Sequence, residues 1–118
     1  MNKASITVHV RKPDAYTGII DIHGEVNAFA ESALMDAYTQ ACQDQAKAII
    51  LNFSGLEYMN SSGIGLLVTL LIRVNRQKQK LLAYGLSEHY RQIFELTRLN
   101  EAIGIYATEV EALSAARN

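Results

Sequence analysis

Apolar and polar positions recur along this chain at two different periods, and the switch from one to the other delimits its elements. Ser5-Ile6-Thr7-Val8-His9-Val10 alternates residue by residue, the period of a strand with one buried face. Pro13-Asp14 is a turn signal, and Ala15 to Ile22 reads as a second strand ending at Gly24, so the two are expected to form a β-hairpin. Asn27 can cap a helix from Ala28 to about Cys42, in which Phe29, Ala33, Ala37 and Ala41 fall on one face. Lys47 to Phe53 is almost continuously apolar, as a strand covered on both faces requires.

After Ser54 to Met59, a second helix is expected from Ser62 to about Gln77, then a strand from Lys80 to Tyr84. Ser87 caps a helix over Glu88 to Thr97 whose inner face carries Tyr90, Ile93, Phe94 and Thr97. Ile103 to Tyr106 makes a last short strand, and Thr108 caps a closing helix through Ala112, Leu113 and Ala116. Strand and helix alternate behind the hairpin, which predicts an α/β fold. Its central sheet is mixed and mostly parallel, with about four helices packed on it.

Composition narrows the class. With 118 residues and no linker, repeat or low-complexity stretch, residues 1–118 read as one domain. A chain of this size buries roughly two thirds of its unfolded surface, so it needs no staple. The single Cys42 has no disulfide partner within the chain and no Cys/His cluster has metal-ligand spacing, so Cys42 reads as a small packing residue. Met1-Asn2-Lys3-Ala4-Ser5 lacks the apolar core of a secretion signal, which points to the cytoplasm. The longest apolar run, Ile64 to Ile72, is about half of the roughly 20 residues that span a bilayer, so no membrane insertion is expected. Eleven basic against twelve acidic residues give a net charge of −1, leaving no global field for nucleic acid. Arg73, Arg76, Lys78 and Lys80 cluster where a helix ends, and balancing the helix dipole accounts for them.

Candidate chemistry concentrates at Asn60-Ser61-Ser62-Gly63-Ile64-Gly65, where the buried strand gives way to an apolar helix. The first N–H groups of a helix have no intrahelical partner, so a serine there can cap the helix or carry an anion. Ser62 is assigned as the cap and Ser61 as the exposed hydroxyl. Phosphorylation of a serine there would add roughly −1.5 to −2 charge, which a helix N-terminus tolerates and a docked partner does not. Gly63 is expected to let a partner approach closely, and Ile64 and Val68 lie beside the core stripe of Leu66, Leu67, Leu70, Leu71 and Val74 as an exposed apolar strip.

Catalysis fits these residues poorly. The glycine of a hydrolase elbow is missing before the serines, and His9, His23 and His89 are tied to neither serine by the sequence. No catalytic residue, cofactor or metal site is assigned. Val68 also stands where a dinucleotide fingerprint needs its third glycine.

Several stretches resemble the STAS domain family of bacterial anti-sigma factor antagonists and sulfate-transporter tails. Gly24-Glu25-Val26-Asn27 is similar to the turn after that family's second strand, and Ile50-Leu51-Asn52-Phe53-Ser54-Gly55-Leu56 to its third strand and exit. Phe94-Glu95-Leu96-Thr97 with Leu99, Ile105-Tyr106 and Glu109-Val110-Glu111-Ala112-Leu113 resemble its later elements in order, so the likeness runs from about Ile6 to Leu113. It implies a STAS-like fold and a stand-alone anti-sigma factor antagonist. Ser61 would be the phosphoacceptor, with Asn27, Asn60, Ser61, Ser62, Gly63, Ile64 and Val68 as the partner-binding residues. The implied partners are an anti-sigma factor that is also a serine kinase, and a serine phosphatase. Unphosphorylated protein would hold the anti-sigma factor and so release sigma factor.

The chain departs from the family pattern at Asn27, Asn52 and Asn60, where phosphorylated members most often carry aspartate, and at Arg98, where glycine is usual. The amides keep shape and hydrogen bonding and remove charge. A left-handed residue costs arginine more than glycine, so the helix before Arg98 is expected to end differently. A second class stays open on these grounds: a non-switching scaffold, or a subunit of a stress-signalling or lipid-transport ATP-binding complex. The sequence decides neither the sigma factor nor whether the chain forms a homo-oligomer.

Overall fold

In the computed structural model, which describes residues 5–43 and 45–118, the expected alternation is present, with the first three strands longer than the pattern implied. The opening Met1-Asn2-Lys3-Ala4 lies outside the described residues. β1 (Ile6–Asp14) and β2 (Thr17–Val26) form the antiparallel hairpin. A 3-10 turn (Ala28–Ala30) leads into α1 (Glu31–Ala41), followed by β3 (Ala48–Met59) and α2 (Ser61–Arg76). β4 (Lys80–Tyr84), α3 (Glu88–Leu96), a second 3-10 turn (Leu99–Glu101), β5 (Gly104–Tyr106) and α4 (Glu109–Ala116) complete the chain. The sheet order is β1-β2-β3-β4-β5, and every pairing after the first is parallel.

The two faces of the sheet are covered unequally. Ile20, Ile22, Ile49, Leu51, Phe53, Leu81 and Ala83 point to one side, where Leu34 and Ala37 of α1, Leu67 and Leu70 of α2 and Phe94 of α3 close the main core. Phe53 and Phe94 meet edge to face with ring centres 6.3 Å apart. On the other side Ile19, Ala48, Ile50, Leu82 and Tyr84 are covered by α4 through Ala112. Ala48 to Leu51 is therefore buried on both faces, the cause of the unbroken apolar run in β3.

Several expectations are corrected. The hairpin turns at Ala15-Tyr16, not at Pro13, and Asp14 fixes it by accepting a bond from the Tyr16 N–H at 2.8 Å. Pro13 is tolerated at the end of β1 because that strand is an edge of the sheet. The second strand runs on through Gly24, at φ +91°, to Val26. β3 does not stop at Phe53 but continues through Met59 by pairing with the end of β2 across two register shifts.

Helical faces shift as well. Because residues 28–30 form a 3-10 turn, the phase counted from Phe29 is wrong: Phe29 is exposed, and α1 buries Leu34, Ala37, Tyr38 and Ala41. Thr97 is exposed and bonds back to the Ile93 carbonyl, while Arg98 does adopt the left-handed conformation, at φ +63°, and delivers Leu99 into the core. Cys42 is half-buried and its thiol lies in hydrogen-bond contact with the Gln79 amide, so it is more than an apolar filler. Among the described residues no helix is long and apolar enough to cross a membrane.

Candidate functional site

The start of α2 is seated on the end of β2. Asn60, still extended at φ −98° and ψ −175°, donates its N–H to the Val26 carbonyl at 3.3 Å, as a strand residue would. Its side chain then accepts from the Gly63 N–H at 2.9 Å, and its carbonyl accepts from the Ile64 N–H at 3.0 Å. Asn60 is thus the N-cap, and the assignment of that role to Ser62 is corrected: the helix has already begun at Ser61. The Tyr90 hydroxyl accepts from the Met59 N–H at 2.9 Å, so α3 also holds the strand end in place.

Ser61 and Ser62 occupy the first two helical positions with exposed side chains. Neither hydroxyl is engaged in a hydrogen bond among the described residues, and the first turn of α2 carries no acidic residue. Gly63, by contrast, is buried. A Cβ there would lie 2.1 Å from the Val26 carbonyl oxygen, so the missing side chain seats α2 on β2 and does not open a ridge to a partner. Asn27 follows Val26 directly and caps the 3-10 turn, accepting from the Phe29 N–H at 2.9 Å. Asn27 and Asn60 therefore flank the same junction, while Asn52 does not belong to it.

Asn52 lies ~20 Å further back along β3, on the α4 side of the sheet. Its amide donates to Asp21 Oδ1 at 2.7 Å and its oxygen accepts from the Ser54 N–H at 3.0 Å. Asp21 in turn receives Nε and Nη2 of Arg11, each at 2.8 Å, and Arg11 reaches across to Glu109 at 2.9 Å. The Tyr84 hydroxyl donates to Glu109 at 2.7 Å. Arg11 holds both carboxyls below their usual pKa range, and they raise its own. Burial, reinforced by Glu109, pushes Tyr84 up to about 12. Every member is partnered, and the cluster clamps the hairpin to α4. It joins residues far apart in sequence, and no spacing signalled it.

The apolar strip on α2 is real and longer than expected. Ile64 is half-buried, Val68 is 40% exposed and Ile72, four residues on and not anticipated, is 47% exposed. Phe29 and Tyr58, 49% and 52% exposed, flank the junction from the two chain segments that lead into it. His9 and His23 are exposed side chains on β1 and β2, and His89 stacks edge-on against Tyr90, so no histidine is bonded to Ser61. A hollow of about 400 Å³ among Tyr38, Cys42, Lys47, Arg73 and Gln79 lies at the far end of α2. The arrangement at Ser61 is an exposed neutral hydroxyl on a helix start, with exposed apolar side chains along α2 and on the two segments that lead into the junction.

Residues 7–112 match the STAS domain. The chain belongs to the STAS domain family. This STAS domain is 30% identical over 93 residues to the anti-sigma-B factor antagonist of Staphylococcus aureus, covering 78% of the chain and 86% of that relative. The Staphylococcus epidermidis protein of the same name is 27% identical over the same span. In structure it is similar to an anti-sigma factor antagonist from Mycobacterium paratuberculosis, with a TM-score of 0.82 at 24% identity over 99% of this chain and 100% of that one. The anti-sigma factor antagonist SpoIIAA in its unphosphorylated form gives 0.74 at 24% identity, over 95% and 99% of the two chains. Its phosphorylated form from Bacillus gives 0.71 at 24% identity, over 92% and 98%. These likenesses establish the fold, mixed sheet and hairpin included.

Proposed function

We propose that this STAS domain is an anti-sigma factor antagonist of the cytoplasm, gated by phosphorylation of Ser61. The observation that carries the proposal is the state of Ser61: exposed, unbonded, and first in a helix whose cap is supplied by another residue. With the cap on Asn60, the Ser61 hydroxyl is left available for modification. Unmodified, the start of α2 carries no charge and has exposed apolar side chains along the helix, suited to packing against an anti-sigma factor through Asn27, Asn60, Ser62, Ile64 and Val68. A phosphate on Ser61 meets no acidic side chain on α2, and the N–H groups of Ser61 and Ser62, which the cap leaves free, face it with the positive helix end. The same dianion would have to be desolvated inside a docked interface, which expels the partner. The relatives' name supports the partner class. Kinase and phosphatase act on Ser61 as the two directions of the switch, and the domain itself catalyses neither.

The test uses each anti-sigma serine kinase encoded in the host genome, purified and incubated with this protein and ATP. Phosphate should appear on Ser61, located by peptide mass mapping, and should be absent from Ser61→Ala. Ser61→Asp should bind that kinase more weakly by about 2 kcal/mol or more while unfolding like the wild type. Label that persists in Ser61→Ala, or equal binding by Ser61→Asp, removes the gating role. Binding that is indifferent to Ser61, recovered with a scaffold or a transport ATPase, would support the non-switching class instead.

A further inference from the structure

Six of the seven glycines have an internal reason, since a Cβ on any of them would come within 3.0 Å of another residue. Gly65 is the exception. A Cβ there meets nothing within 4 Å, and its backbone is ordinary α-helix. Glycine inside a helix lowers its stability relative to alanine, so this position costs α2 something that the free protein never recovers. Gly65 is also placed on one line with Ser61, Val68 and Ile72: spacings of four, three and four residues keep all of them within an arc of roughly 60°. All of them are exposed. Arg76, four residues beyond Ile72, continues the line and makes no ion pair among the described residues. α2 itself carries no acidic residue.

We propose that Gly65 is the point of closest approach for the anti-sigma factor, which lays an apolar helix along Ser61, Gly65, Val68 and Ile72 and sets a carboxylate against Arg76. The inference rests on the function proposed above and adds the direction and footprint of docking. A notch one residue wide between Ser61 and Val68 lets a second helix settle at the short end of the usual 8–10 Å interaxial range. It also brings that helix over the Ser61 hydroxyl, so one contact places both the close approach and the switch. The unpaired Arg76 supplies charge complementarity at the far end and fixes polarity: the partner's acidic end lies toward the C-terminus of α2.

Gly65→Ala, Gly65→Gln and Arg76→Glu test this against the same panel of purified anti-sigma kinases, by titration calorimetry with a non-hydrolysable ATP analogue. Both Gly65 variants should melt at or above the wild-type temperature, because both residues are better helix formers and the site is open. Binding should weaken roughly tenfold for Ala and more for Gln, the cost of overfilling a packed contact. Arg76→Glu should weaken it too, and should bind better to a partner carrying the opposite charge reversal. If Gly65→Gln binds as tightly as wild type while Ser61→Asp does not bind, the footprint is wrong and the switch stands. If no member of the panel binds wild type, or Ser61→Asp binds equally, the underlying function fails and takes this inference with it. A wild-type dimer in sedimentation that Gly65→Gln dissociates would assign the stripe to a second copy and overturn the proposed occupant.

Discussion

Asn52→Asp changes one side-chain group and converts a hydrogen bond into a repulsion. The Asn52 amide now donates to Asp21 at 2.7 Å, and Asp21 is only 8% exposed. Two ionised carboxylates ~3 Å apart repel by about 5 kcal/mol at an effective dielectric of ~20. The protein escapes the full cost by taking up a proton, which at pH 7 costs a carboxylate of ordinary pKa about 4 kcal/mol, or 1.36 kcal/mol per unit. That sets the ceiling. Arg11, bidentate on Asp21, offsets part of the repulsion, so the expected loss at pH 7 is about 2–4 kcal/mol. In the variant the shared proton raises the folded-state pKa above the unfolded value, so its deficit is full above that raised pKa and shrinks as pH falls. At pH 5 the ceiling is about 1.5 kcal/mol. In the wild type Asp21 and Glu109 are shifted down, so their contribution is intact above the ordinary carboxylate range and is lost only as pH drops below about 4. Between pH 5 and 7 the contribution of these two groups is therefore nearly constant, and the difference between variant and wild type reads the proton on the introduced carboxylate. Urea unfolding of wild type, Asn52→Asp and Asn52→Ala at both pH values reads the effect. An Asp deficit that is equal at pH 5 and 7, or no larger than that of Ala, would refute the reasoning.

Two further perturbations follow from the same geometry. Asn60→Ala removes the cap on Gly63 and should cost about 1 kcal/mol, while Asn60→Asp keeps the acceptor and should lie within a few tenths of wild type. An Ala variant as stable as wild type in urea would show that the cap contributes nothing. Arg98→Gly relieves a left-handed residue whose side chain makes only a long contact to Glu101, and should raise stability by about 0.5–1 kcal/mol in thermal unfolding. A loss there would mean that the arginine stem packs more than its exposure suggests.

The order of elements was legible because burial on two faces leaves an unmistakable apolar run at Ile49 to Leu51, and because Ser87 and Thr108 are each the last cap-competent residue before a helix. The cap of α2 was not legible for the opposite reason. Asn60, Ser61 and Ser62 can all cap, and only the bond from Asn60 to the end of β2 decides which is still extended. Residues 54–59 carry glycine and charge in no regular alternation, so their strand exists by pairing with β2 and not by local preference. The Arg11, Asp21, Asn52 and Glu109 cluster depends on strand register and on where α4 docks, and nothing local encodes either. The junction itself was legible, since adjacent hydroxyls between an apolar strand and an apolar helix are a local signal, and Ser61 is exposed at the start of α2.

The register shifts between β2 and β3 carry a consequence for how such a site can evolve. Thr17 faces Ala48 at one end of the pair but Val26 faces Met59 at the other, so β3 uses two residues more than β2 over the same stretch. The surplus is absorbed after Asp21 and Asn52, beyond the part of the sheet that α4 covers, while Ile22, Val26, Phe53 and Met59 still face the main core. The sheet thus has a vernier: its inner half fixes alignment, and its outer half takes up slack. Substitutions in the outer half that keep Val26, Phe53 and Met59 in the core can therefore shift Ser61 and α2 relative to the inner half, whose pairing from Thr17 with Ala48 to Asp21 with Asn52 is left untouched.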